Sequence, residues 1–301
     1  MPHSFSKQTL ALHQSPGGAN YEVDVYNYQH PEAQKTVYLQ GGLHGIELTG
    51  IPVIYEFMKE IEQHQLKTNF ICVPQSNPMG LDSQIMGVQT GYNNLHTNHQ
   101  NCWNWNRIGQ LRDEPSIEGN WIRTLLELAE PADIILDLHT AGTETEAHIY
   151  AHVSQIDHAI GMGIPHLLAW EAASTSFSDT NVTAGKIALT FELSSSRSIT
   201  SQRVEEGIMY LKRFFKIEPE VSGTKIWHIK GKLKKLYAPA AGVLCWKKDA
   251  GVEVKEGEVV AELYTRNGKQ AIHAPWSGVF LIKYLTYAPY SRQEIGKFLI
   301  D

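Results

Sequence analysis

Residues 131–140, PADIILDLHT, run apolar almost without a break from Ile134 to Leu138. A strand with one wet face alternates apolar and polar residues. A strand covered on both faces reads instead as a continuous run, and the cover is normally helical. KIALTFEL, at 186–193, has the same character. Two such strands predict an α/β domain in which helices sandwich a mixed, mainly parallel sheet.

The neighbouring segments supply the remaining parts. YEVDVYNY (21–28) alternates like a strand, KTVYLQ (35–40) is a second strand ending at a glycine pair, and FICVPQ (70–75) is a third, closed by the turn-forming NPMG at 77–80. Between them Leu48, Ile51, Ile54, Phe57, Met58 and Ile61 recur at three- and four-residue steps, which predicts an amphipathic helix to about His64. Residues 116–130 and 201–216 also read as helices, whereas 92–107, rich in Asn and aromatic residues, reads as a long ordered loop.

After Val221 the pattern changes to short strand-like runs and frequent Gly turns. YAPAAGVL (237–244) is echoed by HAPWSGVF (273–280), and each is followed by a Gly-led strand, GEVVAEL (257–263) and GKFLI (296–300). A duplication of this size predicts a small all-β sandwich with approximate twofold symmetry. The expected division is therefore 1–221, a catalytic domain, and 222–301, a C-terminal β-domain.

Charge narrows the partners. With 26 basic and 32 acidic residues the net charge is −6, so no strong field draws in nucleic acid or an anionic membrane, and a small molecule is the expected ligand. Cys72, Cys102 and Cys245 are widely spaced and odd in number, forming neither a disulfide framework nor a CxxC pair. No signal-peptide pattern and no run of about 18 apolar residues is visible. The expectation is a cytoplasmic protein; its oligomeric state is left open.

The chemistry collects at strand ends. KTVYLQ ends just before His44 and Glu47, DIILDLH ends at His139, and KIALTFE ends at Glu192. In open α/β sheets the ligand crevice lies beyond the carboxyl ends of the strands. Two His and one carboxylate with a fourth position open make a catalytic zinc arrangement, one ion per chain. His44 and Glu47, three apart, would share a side of a first helical turn, and His139 would close the triangle. Asp137 shares a strand face with His139 and could orient that imidazole. Glu192 stays outside the metal set, free to act as general base. Each residue taken alone has a bland reading as a cap, a strand end or a solvated loop residue. Asp137 resists that reading, because a carboxylate inside an apolar strand is costly unless paired.

Together GGLHGIE (41–47), NP (77–78), NR (106–107), DLHT (137–140) and FEL (191–193) resemble the succinylglutamate desuccinylase/aspartoacylase family of the zinc carboxypeptidase-like superfamily. APAAG and KEGEVVAEL resemble the biotinyl/lipoyl-like β-domain that many members append, so the likeness covers most of the chain. It implies zinc held by His44, Glu47 and His139, with Glu192 as general base and acid, and Asn106 and Arg107 holding a substrate carboxylate. Arg suits that last task, since its planar fork matches a carboxylate.

Two departures stand out. Members of the family carry an Arg shortly before the NR pair, yet no Arg or Lys occurs between Gly80 and Asn106, leaving His96, His99 or the zinc alone to stabilise the oxyanion. The stretch before Glu192, SFSDTNVTAGK, also lacks the Arg of aspartoacylase-like members. The expected activity is zinc-dependent hydrolysis of an amide bond, deacylating a small N-acyl amino acid or related amine. The alternatives are a metallocarboxypeptidase and, in another class, a non-catalytic metal-binding or carrier protein.

Overall fold

The computed structural model describes residues 3–14, 17–18, 20–82, 104–107, 112–113, 115–141, 144–171, 175–195, 199–284 and 288–300, and the backbone of 84–85, 88–89, 96–98 and 101–102. His99 lies outside the described residues, as does the side chain of His96.

The main sheet is assembled from β1 (Ser6–Gln14), β2 (Asn20–Tyr28), β3 (Thr36–Gly41), β4 (Asn69–Val73), β5 (Ile134–Thr140), β7 (His148–His152), β8 (His166–Trp170), β9 (Ile187–Leu193) and β10 (Lys225–His228). These nine strands lie in the order β1-β2-β4-β3-β5-β9-β7-β8-β10. β4, β3, β5 and β9 form a parallel centre, and β7 runs antiparallel to β9. The chain leaves β3 toward β4 on one side and returns to β5 on the other, so a switch point falls between β3 and β5.

Strand geometry gives each central strand two faces. Val37, Leu39, Leu136, Leu138, Leu189 and Phe191 are buried beneath α1 (Gly50–His64) and α4 (Ser201–Phe214). Tyr38, Ile135 and Ala188 belong to the opposite face, packed with Trp121 and Leu125 of α2 (Ile117–Ala129) and Phe177 of α3 (Phe177–Thr183). On that second face the strands turn polar at their carboxyl ends. Tyr38 gives way to Gln40, Ile135 to Asp137 and His139, and Ala188 to Thr190 and Glu192. Parallel register places Gln40 beside Asp137, and His139 beside Glu192.

The second β layer consists of two small sheets. β6 (Glu144–Thr145), β16 (Gly278–Lys283), β17 (Glu294–Leu299) and β11 (Leu233–Tyr237) form one, with β13 (Glu253–Val254) also paired to β16. β12 (Val243–Trp246), β14 (Val259–Thr265) and β15 (Gly268–His273) form the other. Leu244, Val260, Leu263, Phe280 and Phe298 fill the space between them. Leu281 and Leu299 pack on Leu168 and Trp227, which covers the far end of the main sheet's polar-ended face.

Two connections interlace these layers. β6 follows directly on β5 yet pairs with β16, Glu144 opposite Lys283 and Thr145 opposite Ile282. β10, which comes after Val221, closes the main sheet beside β8. Among the described residues, no helix is long and apolar enough to cross a membrane.

Candidate metal centre

His44 and Glu47 sit in a tight turn between β3 and α1, closed by the Glu47 N–H donating to His44 O at 3.0 Å. They therefore precede the helix, which begins at Gly50, and do not form its first turn as their spacing predicts. Periodicity from Leu48 onward cannot tell a helical turn from a β-turn leading into it. The turn is braced from below: Ser76 Oγ donates to Gly41 O at 2.9 Å and Asn77 Nδ2 to Leu43 O at 3.0 Å. The NPMG stretch opens a short helix, Pro78–Asp82, whose Gly80 carbonyl lies where a Cβ on Gly45 would go.

The three expected ligands converge. His44, Glu47 and His139 are buried, and their donor atoms lie within 4.8 Å of one another. Glu47 is the centre of the set. Its Oε1 is 3.0 Å from His44 Nδ1, and its Oε2 is 2.8 Å from His139 Nδ1 and accepts the Thr140 N–H at 3.1 Å.

The outer partners fix which nitrogen of each ring faces the carboxylate. His139 Nε2 is 2.8 Å from Asp137 Oδ2, an acceptor, so Nε2 carries the hydrogen there. His44 Nε2 is 2.9 Å from Asn104 Oδ1, and that atom also accepts the Asn106 N–H at 2.8 Å, so it is the oxygen. Both rings thus turn Nδ1 toward a carboxylate oxygen. A lone pair cannot face a carboxylate oxygen favourably without a cation, either a proton or a metal ion, between or beside them. Two imidazole nitrogens and a carboxylate are the donors zinc takes, and this donor set fits it.

Electrostatics agrees with that need for positive charge. Burial raises the Glu47 carboxyl, but the charges and hydrogen bonds of His44 and His139 outweigh it and hold the group down to about 2. Burial lowers His139, but the charge of Asp137 and its hydrogen bond, joined by those of Glu47, raise it well above its usual value. Asp137 is fully buried and is satisfied on both oxygens, Oδ2 by His139 Nε2 at 2.8 Å and Oδ1 by Gln40 Nε2 at 2.9 Å, and Tyr38 OH in turn donates to Gln40 Oε1 at 2.9 Å.

Glu192 lies one strand away, in register with His139 and on the same face. Its Oε2 is buried with no hydrogen-bond partner among the described residues, while the residue as a whole is only half-buried. Burial pushes its carboxyl up to about 8, and the Glu47 charge adds to this, whereas His139 and Lys297 of β17 oppose it. That value lies where a carboxyl can both take and give a proton near neutrality.

Asn106 is drawn to the same place. Its Oδ1 accepts the Phe177 N–H at 2.7 Å, its Nδ2 is 3.5 Å from His139 Nε2, and its carbonyl accepts from Arg107, which is exposed. Trp105 is fully buried in the core with Trp121 and Leu125 of α2. Sequence reasoning missed Gln40, Asn104 and Lys297. Gln40 alone left a signal, as a polar residue ending an apolar strand.

A mixed, mainly parallel sheet carrying at its carboxyl edge a His–Glu–His set that could hold a metal ion defines an α/β protein with a candidate metal centre. The profile of the Succinylglutamate desuccinylase/Aspartoacylase catalytic domain matches residues 33–217, and the chain belongs to that family, one of zinc-dependent deacylases. No curated protein matches it in sequence. Among solved structures, it is similar to a succinylglutamate desuccinylase/aspartoacylase-like protein of Shewanella frigidimarina NCIMB 400, with 18% identity, 99% and 98% of the two chains covered and a TM-score of 0.84. A family protein of Shewanella amazonensis SB2B gives 21%, 98% and 98%, and 0.82. The product-bound ectoine utilization protein EutE (DoeB) of Ruegeria pomeroyi gives 15%, 100% and 99%, and 0.80.

Proposed function

We propose that the protein is a zinc-dependent hydrolase that cleaves an amide bond, releasing an acyl group from a small N-acyl amino acid or related amine. The observation that carries this reading is the separation of roles around Glu47. Two imidazoles turn Nδ1 to its two oxygens, and a second carboxylate, Glu192, stands outside that set with an unpartnered oxygen. His44, Glu47 and His139 would hold zinc. When bound there, zinc supplies Lewis-acid polarisation of the scissile carbonyl and makes water acidic enough to attack near neutral pH.

The chain's own groups do the rest. Glu192 takes a proton from the attacking water and passes it to the leaving nitrogen as the C–N bond breaks. Asp137 holds His139 in one tautomer and one orientation. Arg107, exposed and tethered through the Asn106 carbonyl, receives a substrate carboxylate together with Asn106. Residues 222–301, apart from β10, which completes the main sheet, are assigned to a β-domain that narrows access to small substrates. A bound product in EutE, a protein of the same fold, supports an enzyme reading over a carrier.

The test is a screen of N-acyl amino acids and short peptides, followed by Glu192→Gln on the best substrate. Gln keeps the shape but cannot accept the proton. The variant should retain the parent's zinc content and lose about 10²–10⁴-fold in turnover. Full turnover would move the proton transfer to another group, and loss of zinc would make Glu192 a ligand.

A further inference from the structure

His148 stands opposite Glu192 across the β7–β9 pair, and in antiparallel register the two side chains share the polar-ended face of the sheet. Directly opposed residues on one face have Cβ atoms about 4.5–5.5 Å apart. His148 is fully buried, and its Nδ1 lies 2.8 Å from the carbonyl oxygen of Glu146. A carbonyl only accepts, so Nδ1 carries the hydrogen and Nε2 is a bare acceptor. That Nε2 is buried and has no hydrogen-bond partner among the described residues. Glu192 Oε2 is in the same condition. Buried polar atoms are rarely left unpaired, and two of them on facing residues call for one explanation. The two atoms are not bonded to each other in the structure, and a carboxyl that gains a proton would supply the O–H donor that Nε2 lacks.

We propose that His148 is the positioning residue of Glu192, its Nε2 accepting the O–H of the protonated carboxyl and so holding the proton between the two halves of the reaction. This rests on the reading of Glu192 as the acid–base group. In the first half the Glu192 carboxylate gains one proton from the attacking water, whose O–H bond breaks. The new O–H donates a hydrogen bond to His148 Nε2, and no proton passes to the imidazole. In the second half the same proton goes to the leaving nitrogen as its bond to carbon breaks, and the carboxylate is restored.

The surroundings suit an imidazole that accepts without becoming charged. Burial pushes His148 down to about 3, with the neighbouring His166 and Lys297 acting in the same direction against the Glu146 carbonyl. The second β layer fixes the geometry. Glu146 N–H donates to Leu281 O of β16 at 3.1 Å, and Thr145 Oγ1 donates to the same oxygen at 3.2 Å. The carbonyl that sets the His148 tautomer is thus held in place from the other layer.

Two measurements test the proposal. The first uses metal-free protein labelled with ¹⁵N-histidine at mildly acidic pH. The Nε2 resonance of His148, identified by its loss in His148→Gln, should move when Glu192→Leu removes the donor. An unmoved resonance overturns the proposal, and the shift itself is read in protein whose His148 is intact. The second is kinetic. His148→Phe keeps a ring and offers no acceptor, and it should lower kcat about 10–100-fold, the usual cost of losing an outer partner, with KM little changed. His148→Gln, which places an amide oxygen near the Nε2 position, should recover most of that loss. Equal losses in the two variants, or losses in KM alone, would overturn the proposal. If Glu192→Leu keeps full turnover, the acid–base assignment itself fails; if it loses turnover without moving the resonance, only the role of His148 fails.

Discussion

Asp137 accepts the Nε2–H of His139 at 2.8 Å while its other oxygen takes the Gln40 amide at 2.9 Å, so a carboxylate with no exposed surface has both oxygens occupied. The pair makes His139 Nδ1 more basic and points it at Glu47. Asp137→Asn keeps the shape and removes the charge. Zinc affinity, measured by competition with a chelator, should fall about 10–100-fold with the fold intact. Unchanged affinity would show that Asp137 serves the sheet and not the metal centre.

Gly45 has no room for a side chain, because a Cβ would run into the backbone of Gly80. Backbone on both sides cannot yield as a flexible side chain would. Gly45→Ala should cost about 1–3 kcal/mol, as overpacking commonly does. It should also part His44 from Glu47, lowering zinc content more than the melting temperature alone would suggest. A variant that binds zinc like the parent would refute the bracing described for this turn.

Acid should weaken the fold through His148. Its pKa is depressed to about 3 in the folded protein, so from its ordinary value of 6.5 downward the unfolded chain takes a proton that the native state refuses. Its contribution is intact above pH 6.5 and is lost as pH falls toward 3, at up to about 1.4 kcal/mol per pH unit. Denaturant melts of metal-free protein across this window should show a shallower slope for His148→Phe than for the parent. Parallel slopes would mean that His148 is not kept neutral by burial.

Lys283 is buried, pairs with Glu144 and reaches Asp249 at 3.1 Å, pinning β6 to β16. Both carboxylates are partly exposed and can rehydrate, so Lys283→Met should cost about 1–2 kcal/mol, less than breaking a fully buried pair. Hydrogen exchange at Thr145 and Glu146 should quicken in the variant before exchange elsewhere in the main sheet does. Uniform acceleration would mean that the contact stabilises the protein globally and not as a local clasp.

The candidate site could be picked out in the sequence because its residues interrupt, end or closely follow apolar strands. Asp137 and His139 break a run that is otherwise Ile and Leu, and Glu192 closes another. Such breaks carry a cost that only function or pairing explains. What escaped reading depends on contacts between distant segments. β7 and β8 have mixed patterns, and their burial on the polar-ended face comes from Leu281 and Leu299 of the second layer docking near Leu168. β1 is mostly exposed and is defined by its pairing with β2. Asn104 and His148 reach the site through a loop turn and a cross-strand register that local periodicity does not encode.

The exchange of β6 and β10 bears on how the protein is born and how it fails. A ribosome that has released residues through Val221 has made a main sheet whose β8 edge awaits β10, and a β6 whose partner β16 is not yet synthesised. Until the last strands arrive, Leu168 lies bare beside an unpaired strand edge, the feature most prone to intermolecular pairing. Pairings such as Glu144 with Lys283 also join segments far apart in sequence, which slows folding. Once joined, each sheet is completed by a strand from the other part of the chain, so neither can melt without fraying its neighbour.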